Sequence, residues 1–417
     1  MTNIPSNDLL WLDSLPFPSN KRIAVHVKPA AERALKQGHP WLFDGAIRKI
    51  SHEGQAGDLA VIFDKERRFL AIGLYDPASP IRIKVLQHHQ QATIDRDFFH
   101  ACLQSAVDLR EPLRQSTTNG YRLVHGENDG LPGLVVDRYG AVLVLKLYSA
   151  AWIPHLRDVI PALLDVQPAS NLVLRLSRDL QQSGAHGLKD GQVLLGDLPP
   201  QPLTFTEGEL TFTADVIHGH KTGFFFDQRE NRERVGKLAN GRRVLDVFAY
   251  VGAFSLYAAS GGAESVLSLD ISAPAMHAAQ AHFTLNQHIP NVAQAKHDIL
   301  IADAFVAMDQ MRADRRMFDL IIVDPPSFAK RADEVDRALA AYASLVEHAL
   351  PLLERDGIFV IASCSSRVTA EAFFRTVTST AAKMGRVLSE IERTGHALDH
   401  PIGFPEGAYL KCLFARG

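Results

Sequence analysis

"RRVLDVFAYVGAFSLYAASGGAESVLSLD" (residues 242–270) decides the fold. Residues 242–250 form an apolar run suited to a strand, 253–262 an apolar helix closed by two glycines, and 265–270 a second strand. The same rhythm continues downstream. "APAMHAAQAHFTLNQH" (273–288) suits a helix with Ser272 as its N-cap. "FDLIIVDPPSF" (318–328) opens with a fourth strand, residues 332–353 suit a helix, "GIFVIASCS" (357–365) another strand, and 369–384 a further helix. Near-continuous apolar strands alternating with helices predict an α/β fold with a parallel sheet covered on both faces. In such sheets the ligand lies outside the carboxyl ends of the strands.

Four acidic or reactive residues fall at such ends: Asp246, Asp270, Asp324 and Cys364. An unpaired buried charge is costly, so a recurring series points to a site. Gly252 lets the backbone turn close to a ligand, but the segment lacks the G-x-G-x-x-G fingerprint of a pyrophosphate site. A carboxylate at Asp270 can accept two ribose hydroxyls at once. A ribose without a pyrophosphate fits S-adenosylmethionine; the other reading of Asp270 is a helix cap. In "DPPSF" (324–328), Pro325 and Pro326 stiffen the loop and free carbonyls, holding Asp324 rigidly with Phe328 available to stack on a base. Cys364 suits attack on a pyrimidine: a thiolate adding at C6 makes C5 nucleophilic enough to take a methyl group, with Asp324 to bond N3 and N4 and supply a proton. The alternative is a small apolar residue filling a strand end.

The 417 residues predict two or three domains, and the composition (46% hydrophobic, 22% charged) is that of an ordinary globular chain. Three scattered cysteines (Cys102, Cys364, Cys412) argue against a disulfide framework and suggest a reducing cytoplasm. No signal peptide, membrane span or metal-ligand spacing is legible. The net charge of −3 hides two basic islands: 21–50 carries seven Lys/Arg against two Asp/Glu, and 221–243, beginning at Lys221, seven against three. These suit a polyanion or simply solvated surface. Residues 21–92 are a β-rich domain, 93–202 a helix and a central α+β domain, and 203–417 a β-hairpin plus the strand–helix unit. Helical spacing over 94–113 places Ile94, Phe98, Cys102, Ala106 and Leu109 on one stripe. Cys412 suits a core, and His218 and His220 suit RNA contact or a local turn.

Several segments carry a specific resemblance: "GHPWLF" (38–43), "YRLVHGENDGLPGLVVDRYG" (121–140), "HGHKTGFFFDQRENR" (218–232), "LDVFAYVGAFS" (245–255), "DPPSF", "SCS" (363–365) and "HPIGFPEGAYLK" (400–411). In these, from about residue 22 to the C-terminus, the chain resembles the bacterial 23S ribosomal RNA cytosine-5 methyltransferases of the RlmI type. The resemblance implies a PUA-like β-barrel, a central domain and a Rossmann-like class I methyltransferase sheet. It implies that residues 245–255, with Asp246, Phe248, Tyr250 and Gly252, and Asp270 hold S-adenosylmethionine, with Asp298 near the adenine, Gln228 and Arg232 lining the pocket, and Asp324 close by. It implies Cys364 as nucleophile with Asp324 as partner, and Pro325, Pro326, Phe328 and Lys221 on the substrate side. Val251 stands where these enzymes commonly have threonine, and Ser327 where some RNA methyltransferases have a second cysteine. The implied partner is large-subunit ribosomal RNA; a homodimer stays open. Two other readings keep part of this: methylation of a purine nitrogen, with Cys364 as packing, or an RNA-binding assembly factor without catalysis.

Overall fold

The computed structural model describes residues 9–183, 185–199, 201–219, 221–329 and 331–417. Contacts divide the chain into two units, residues 1–209, 214–226 and 398–405 in one, and 210–213, 227–397 and 406–417 in the other.

The first unit holds two sheets. In a six-stranded sheet the outer strands are Trp41–Phe43 and Ile47–Ile50. Only the turn Asp44–Ala46 joins them, so the sheet has to curl until its edges approach, as in a barrel. Its core is Ile23, Val25, Leu42, Ile62 and Ile83. The second sheet is five-stranded, from Gly120–His125 to Val193–Leu195, and is covered by the helices Arg96–Leu109 and Leu156–Val166. The stripe expected on 94–113 packs against this core at Ile94, Phe98, Cys102 and Ala106, but not at Leu109. The helix buries Phe99, Leu103, Ala106 and Val107 most deeply and leaves Leu109 40% exposed; Asp95 caps its start by accepting from the Phe98 N–H. Cys102 is partly buried against this core, and burial pushes its thiol up to about 11. The segment 398–405, expected in the C-terminal domain, joins this unit through Asp399. Its carboxylate accepts from Arg122 N (2.8 Å) and its carbonyl from the buried Arg110 (2.9 Å).

The second unit follows the strand–helix rhythm. Its elements are α1 (Arg229–Leu238), β1 (Arg243–Val247), α2 (Ala253–Ser260), β2 (Ser265–Asp270), α3 (Ala273–Leu285), β3 (Lys296–Ile301), α4 (Ala304–Ala313), β4 (Phe318–Val323), α5 (Val335–Ala349), β5 (Leu353–Ser363), α6 (Ala370–Lys383), β6 (Ser389–Thr394) and β7 (Lys411–Arg416). The sheet order is β3-β2-β1-β4-β5-β7-β6. The first five strands are parallel, as expected, and the last two are antiparallel. The expected wholly parallel sheet is therefore corrected at one edge. β6, "SEIERT", is exposed along most of its length and charged, so it lacks the apolar run that marks a buried strand and reads as a protected edge. The helix expected over 332–353 ends at Ala349, because Pro351 interrupts it and β5 begins at Leu353. Leu245, Val247, Ile321, Val323, Phe359 and Ile361 share one core with Met308, Tyr342, Leu345 and Phe373. Each such side chain contributes roughly 1.5–3 kcal/mol by leaving water. The chain leaves β1 toward β2 and β3 on one side and reaches β4 and β5 on the other, so the switch point lies between β1 and β4.

Helix α1 reaches that switch point by a close approach. A Cβ on Gly261 would lie 1.9 Å from the Gly236 carbonyl oxygen, and one on Gly236 would lie 3.0 Å from that of Tyr257. The two helices thus touch backbone to backbone. Gly261→Ala is expected to lower the unfolding free energy by about 1–3 kcal/mol, the usual cost of overpacking, in chemical denaturation; a variant as stable as the parent would remove this contact from the account.

Candidate functional site

β1 delivers Asp246, which has no exposed surface. Its Oδ2 accepts from Ser255 Oγ (2.7 Å) and Ser255 N (3.1 Å). Its Oδ1 has no hydrogen-bond partner among the described residues. Ser255 Oγ continues to Ser268 Oγ (2.7 Å), and Ser268 Oγ to His297 Nε2 (2.9 Å). Burial pushes the Asp246 carboxyl up to about 7; the Ser255 hydrogen bonds work against this and the Asp270 charge adds to it.

The strand expected to run to Tyr250 stops at Val247. Phe248 (φ 65°), Tyr250 (φ 50°) and Gly252 (φ 70°) then take left-handed backbone. Two of these carry side chains, so the turn is strained and needs holding. Asp270 holds it: Oδ2 accepts from Tyr250 N (2.9 Å) while Oδ1 accepts from Ser272 N (2.8 Å). One carboxylate therefore spans the loops after β1 and β2. The cap of α3 is Ser272, whose side chain accepts from Ala275 N, and not Asp270. Each Asp270 oxygen keeps a further acceptor site, which suits a ribose diol. Gly252 is required: a Cβ there would lie 2.7 Å from that of Ala279.

Asp324 follows β4 and is half-buried, and its N–H donates to the Val247 carbonyl across the switch point. Burial raises its carboxyl to about 7; the Asp227 and Asp246 charges add to this, while a hydrogen bond from Gln228 and the charge of Arg232 oppose it. A relay fixes Gln228. Thr394 Oγ1 donates to Asn231 Oδ1 (2.5 Å), and Asn231 Nδ2 donates to Gln228 Oε1 (2.6 Å). The Gln228 amide nitrogen is left to face Asp324. Gln228, Asn231 and Arg232 are all buried on or just before α1.

Cys364 leaves β5 beside this corner. Its Sγ lies 3.9 Å from the Pro325 carbonyl oxygen, so thiol and "DPPSF" loop meet. The buried Tyr342 hydroxyl donates to Ser363 Oγ (2.8 Å), and Ser365 Oγ donates to the Ala329 carbonyl (2.9 Å), pinning the turn on both sides of the thiol. Pro325 is buried and Pro326 exposed. Phe328 packs its ring against Tyr342 (centroids 5.1 Å, tilted 62°) and stays partly exposed.

One expected site residue lies off the rim. Asp298 is exposed, pairs with Lys296 (3.4 Å) and lies mid-strand opposite Leu267, three positions before the Asp270–Ile301 pair that marks the carboxyl end. The carboxylate just past β3 is Asp303, whose Oδ1 accepts from Phe305 N (3.0 Å) and Val306 N (3.2 Å). Its signal was legible as an aspartate immediately ahead of a helical run, the N-cap position. Lys221 belongs to the other unit; it is exposed, with its ammonium 4.2 Å from the Phe225 ring centre. His218 is exposed and its N–H donates to Asp215 (2.7 Å), which is a local turn; His220 lies outside the described residues. Cys412 is fully buried in β7. Among the described residues no helix is long and apolar enough to cross a membrane, and no group of His, Cys, Asp and Glu is placed to hold a metal ion.

The raised Asp246 carboxyl carries a sign that can be measured. Its folded-state value, about 7, lies above the ordinary 3.8, so the folded chain binds more protons than the unfolded one. Stability should therefore be full below about pH 4 for this group and fall as pH rises to about 7. Asp246→Asn is expected to flatten that fall by an amount on the order of 2–4 kcal/mol, read by denaturation of the cofactor-free protein at pH 5 and pH 8. An equal fall in both proteins would place the titration elsewhere.

The unpartnered Asp246 oxygen, the acceptor sites left on Asp270 and the glycine approach at 252 fit a cofactor with a ribose and no pyrophosphate. Comparison with known proteins agrees. Residues 25–88 match the PUA-like domain family and residues 122–414 the S-adenosylmethionine-dependent methyltransferase family. A "Ribosomal RNA large subunit methyltransferase" of Deinococcus radiodurans is 45% identical over 96% of this chain and 99% of its own. A "Ribosomal RNA large subunit methyltransferase I" of Shewanella amazonensis is 36% identical over 94% of this chain and 99% of its own. A solved chain from Streptococcus mutans described as a SAM-dependent methyltransferase shares the fold, with TM-score 0.80 and 22% identity over 94% of this chain and 100% of its own. The chain belongs to the ribosomal RNA large subunit methyltransferase I family, whose cofactor is S-adenosylmethionine.

Proposed function

We propose that this protein methylates C5 of a cytosine in large-subunit (23S) ribosomal RNA, in the cytoplasm, through a transient Cys364 adduct at C6. The observation that carries this reading is the meeting of the Cys364 thiol with the Asp324–Pro325 loop at the switch point, 3.9 Å between Sγ and the Pro325 oxygen. A neutral Asp324 acid, favoured by burial up to about pH 7, can donate to the base as charge builds on the ring. Gln228 orients that acid.

The thiolate forms a bond to C6 and the C5–C6 π pair becomes nucleophilic at C5. When bound, S-adenosylmethionine would supply an electrophilic methyl group to C5, its sulfonium leaving as the neutral thioether. The C5 proton then leaves to a base, and the S–C6 bond breaks to restore the aromatic ring and the thiolate. Asp246, Phe248, Tyr250, Gly252, Asp270, Gln228 and Arg232 form the cofactor side in this reading, with Asp303 as the candidate beyond β3 in place of Asp298. Pro325, Pro326 and Phe328 face the base, and Lys221 and the basic residues of 21–50 contact phosphates. Residues 21–92 act as the RNA-docking domain, 93–202 as the central domain and 203–417 as the hairpin and catalytic domain. The target base must leave its stack to reach the thiol.

Cys364→Ala is expected to keep S-adenosylmethionine binding within about twofold and to lower methyl transfer by at least about 10³-fold, as expected for loss of a covalent route. RNA carrying 5-fluorocytosine at the target should trap wild-type protein covalently and leave the variant free. Normal turnover by Cys364→Ala, or no trapped species with wild type, would move the chemistry to a purine nitrogen and leave Cys364 as packing.

A further inference from the structure

Lys411 is the first residue of β7 and pairs across the sheet with Ser363, the residue before Cys364. Its side chain is buried, with 4% of the residue exposed. A buried ammonium normally finds a carboxylate. Here none of the described residues supplies one. All three ammonium protons go to backbone carbonyls: Ser365, Val368 (2.7 Å) and Tyr409 (2.9 Å). Two of those carbonyls belong to the turn that begins at Cys364. The third is at the start of the segment leading into β7. Among the described residues the positive charge is thus buried, hydrogen-bonded and without a carboxylate partner, beside the turn that carries the Cys364 thiol.

We propose that Lys411 is the positioning residue of Cys364: it ties down the turn that presents the thiol and supplies the positive charge that a Cys364 thiolate needs. This rests on the reading of Cys364 as nucleophile. Burial lowers the ammonium to about 8, and the charge of Cys364 acts in the opposite direction, holding the proton on. The amine therefore stays charged at neutral pH and favours the thiolate, whose proton leaves to solvent while the electron pair stays on sulfur. Among the described residues, Tyr342 and Asp324 also face this corner. Tyr342, from α5, is pushed up to about 12 by burial and stays neutral. Asp324, from the loop after β4, is neutral below about pH 7 and works against the thiolate only above it.

Alkylation of Cys364 by iodoacetamide, followed by peptide mass analysis across pH 5–10, tests this without RNA. Wild type is expected to show a midpoint below the free-thiol value of about 8.5. Lys411→Met keeps the stem and removes the charge; it should slow alkylation at pH 7 by about tenfold or more, equivalent to one pKa unit, with S-adenosylmethionine binding retained. Lys411→Arg keeps the charge and should stay within about threefold of wild type, since a thiolate answers to nearby charge. A wild-type midpoint at or above about 8.5 overturns the proposal even where the Met variant does not fold. Equal alkylation rates in wild type and a folded Lys411→Met overturn it as well. Failure of the nucleophile reading is seen separately, as absence of the 5-fluorocytosine adduct.

Discussion

The hydrogen bond from the Tyr250 N–H to Asp270 is the contact on which the site depends. It links the loop after β1 to the end of β2 and holds a turn in which Phe248, Tyr250 and Gly252 all take left-handed backbone. Without it nothing in the local sequence favours that path, since two of the three residues carry side chains. With it, α2 begins at Ala253, Ser255 reaches back to Asp246, and Gly252 sits against Ala279. This side of the rim is therefore set by one carboxylate that serves the backbone first and retains acceptor sites.

The opposite side of the switch point is built differently. Asp324, Gln228 and Cys364 come from β4, the start of α1 and the end of β5, and each is held by a neighbour at one remove. Asn231 and Thr394 turn the Gln228 amide; Tyr342 and Ser365 pin the turn at Cys364; the glycine pair 236 and 261 lets α1 come close enough to take part. Burial raises the Asp246 and Asp324 carboxyls to about 7 each, and the Asp246 charge adds to the rise at Asp324. That sets an acid and a thiol together in one partly dry corner, the pair that the proposed C5 methylation uses.

Much of this was legible in the residues. The apolar strands and the aspartates that end them define the parallel sheet and its rim, and Asp246, Asp270, Asp324 and Cys364 all lie there. The rest depends on contacts that no local pattern encodes. Asp298 looks like a rim residue in "KHD", yet pairing of Leu267 with Asp298 places it mid-strand and leaves the rim position to Asp303. The stripe on 94–113 is wider than the spacing suggests: Phe99, Leu103 and Val107 join it and lie deepest, a depth set by what the helix packs against. The antiparallel edge was hidden by the polar "SEIERT" strand. The relay from Thr394 to Gln228 joins residues 166 positions apart, a pairing only the folded sheet creates.

The central claim is the atom that is methylated. The most direct test is transfer of labelled methyl from S-adenosylmethionine to large-subunit RNA lacking its native modifications, followed by mass analysis of the nucleosides. The account predicts labelled 5-methylcytidine. A labelled methylpurine would contradict it, keeping the fold and the cofactor while taking the thiol out of the chemistry.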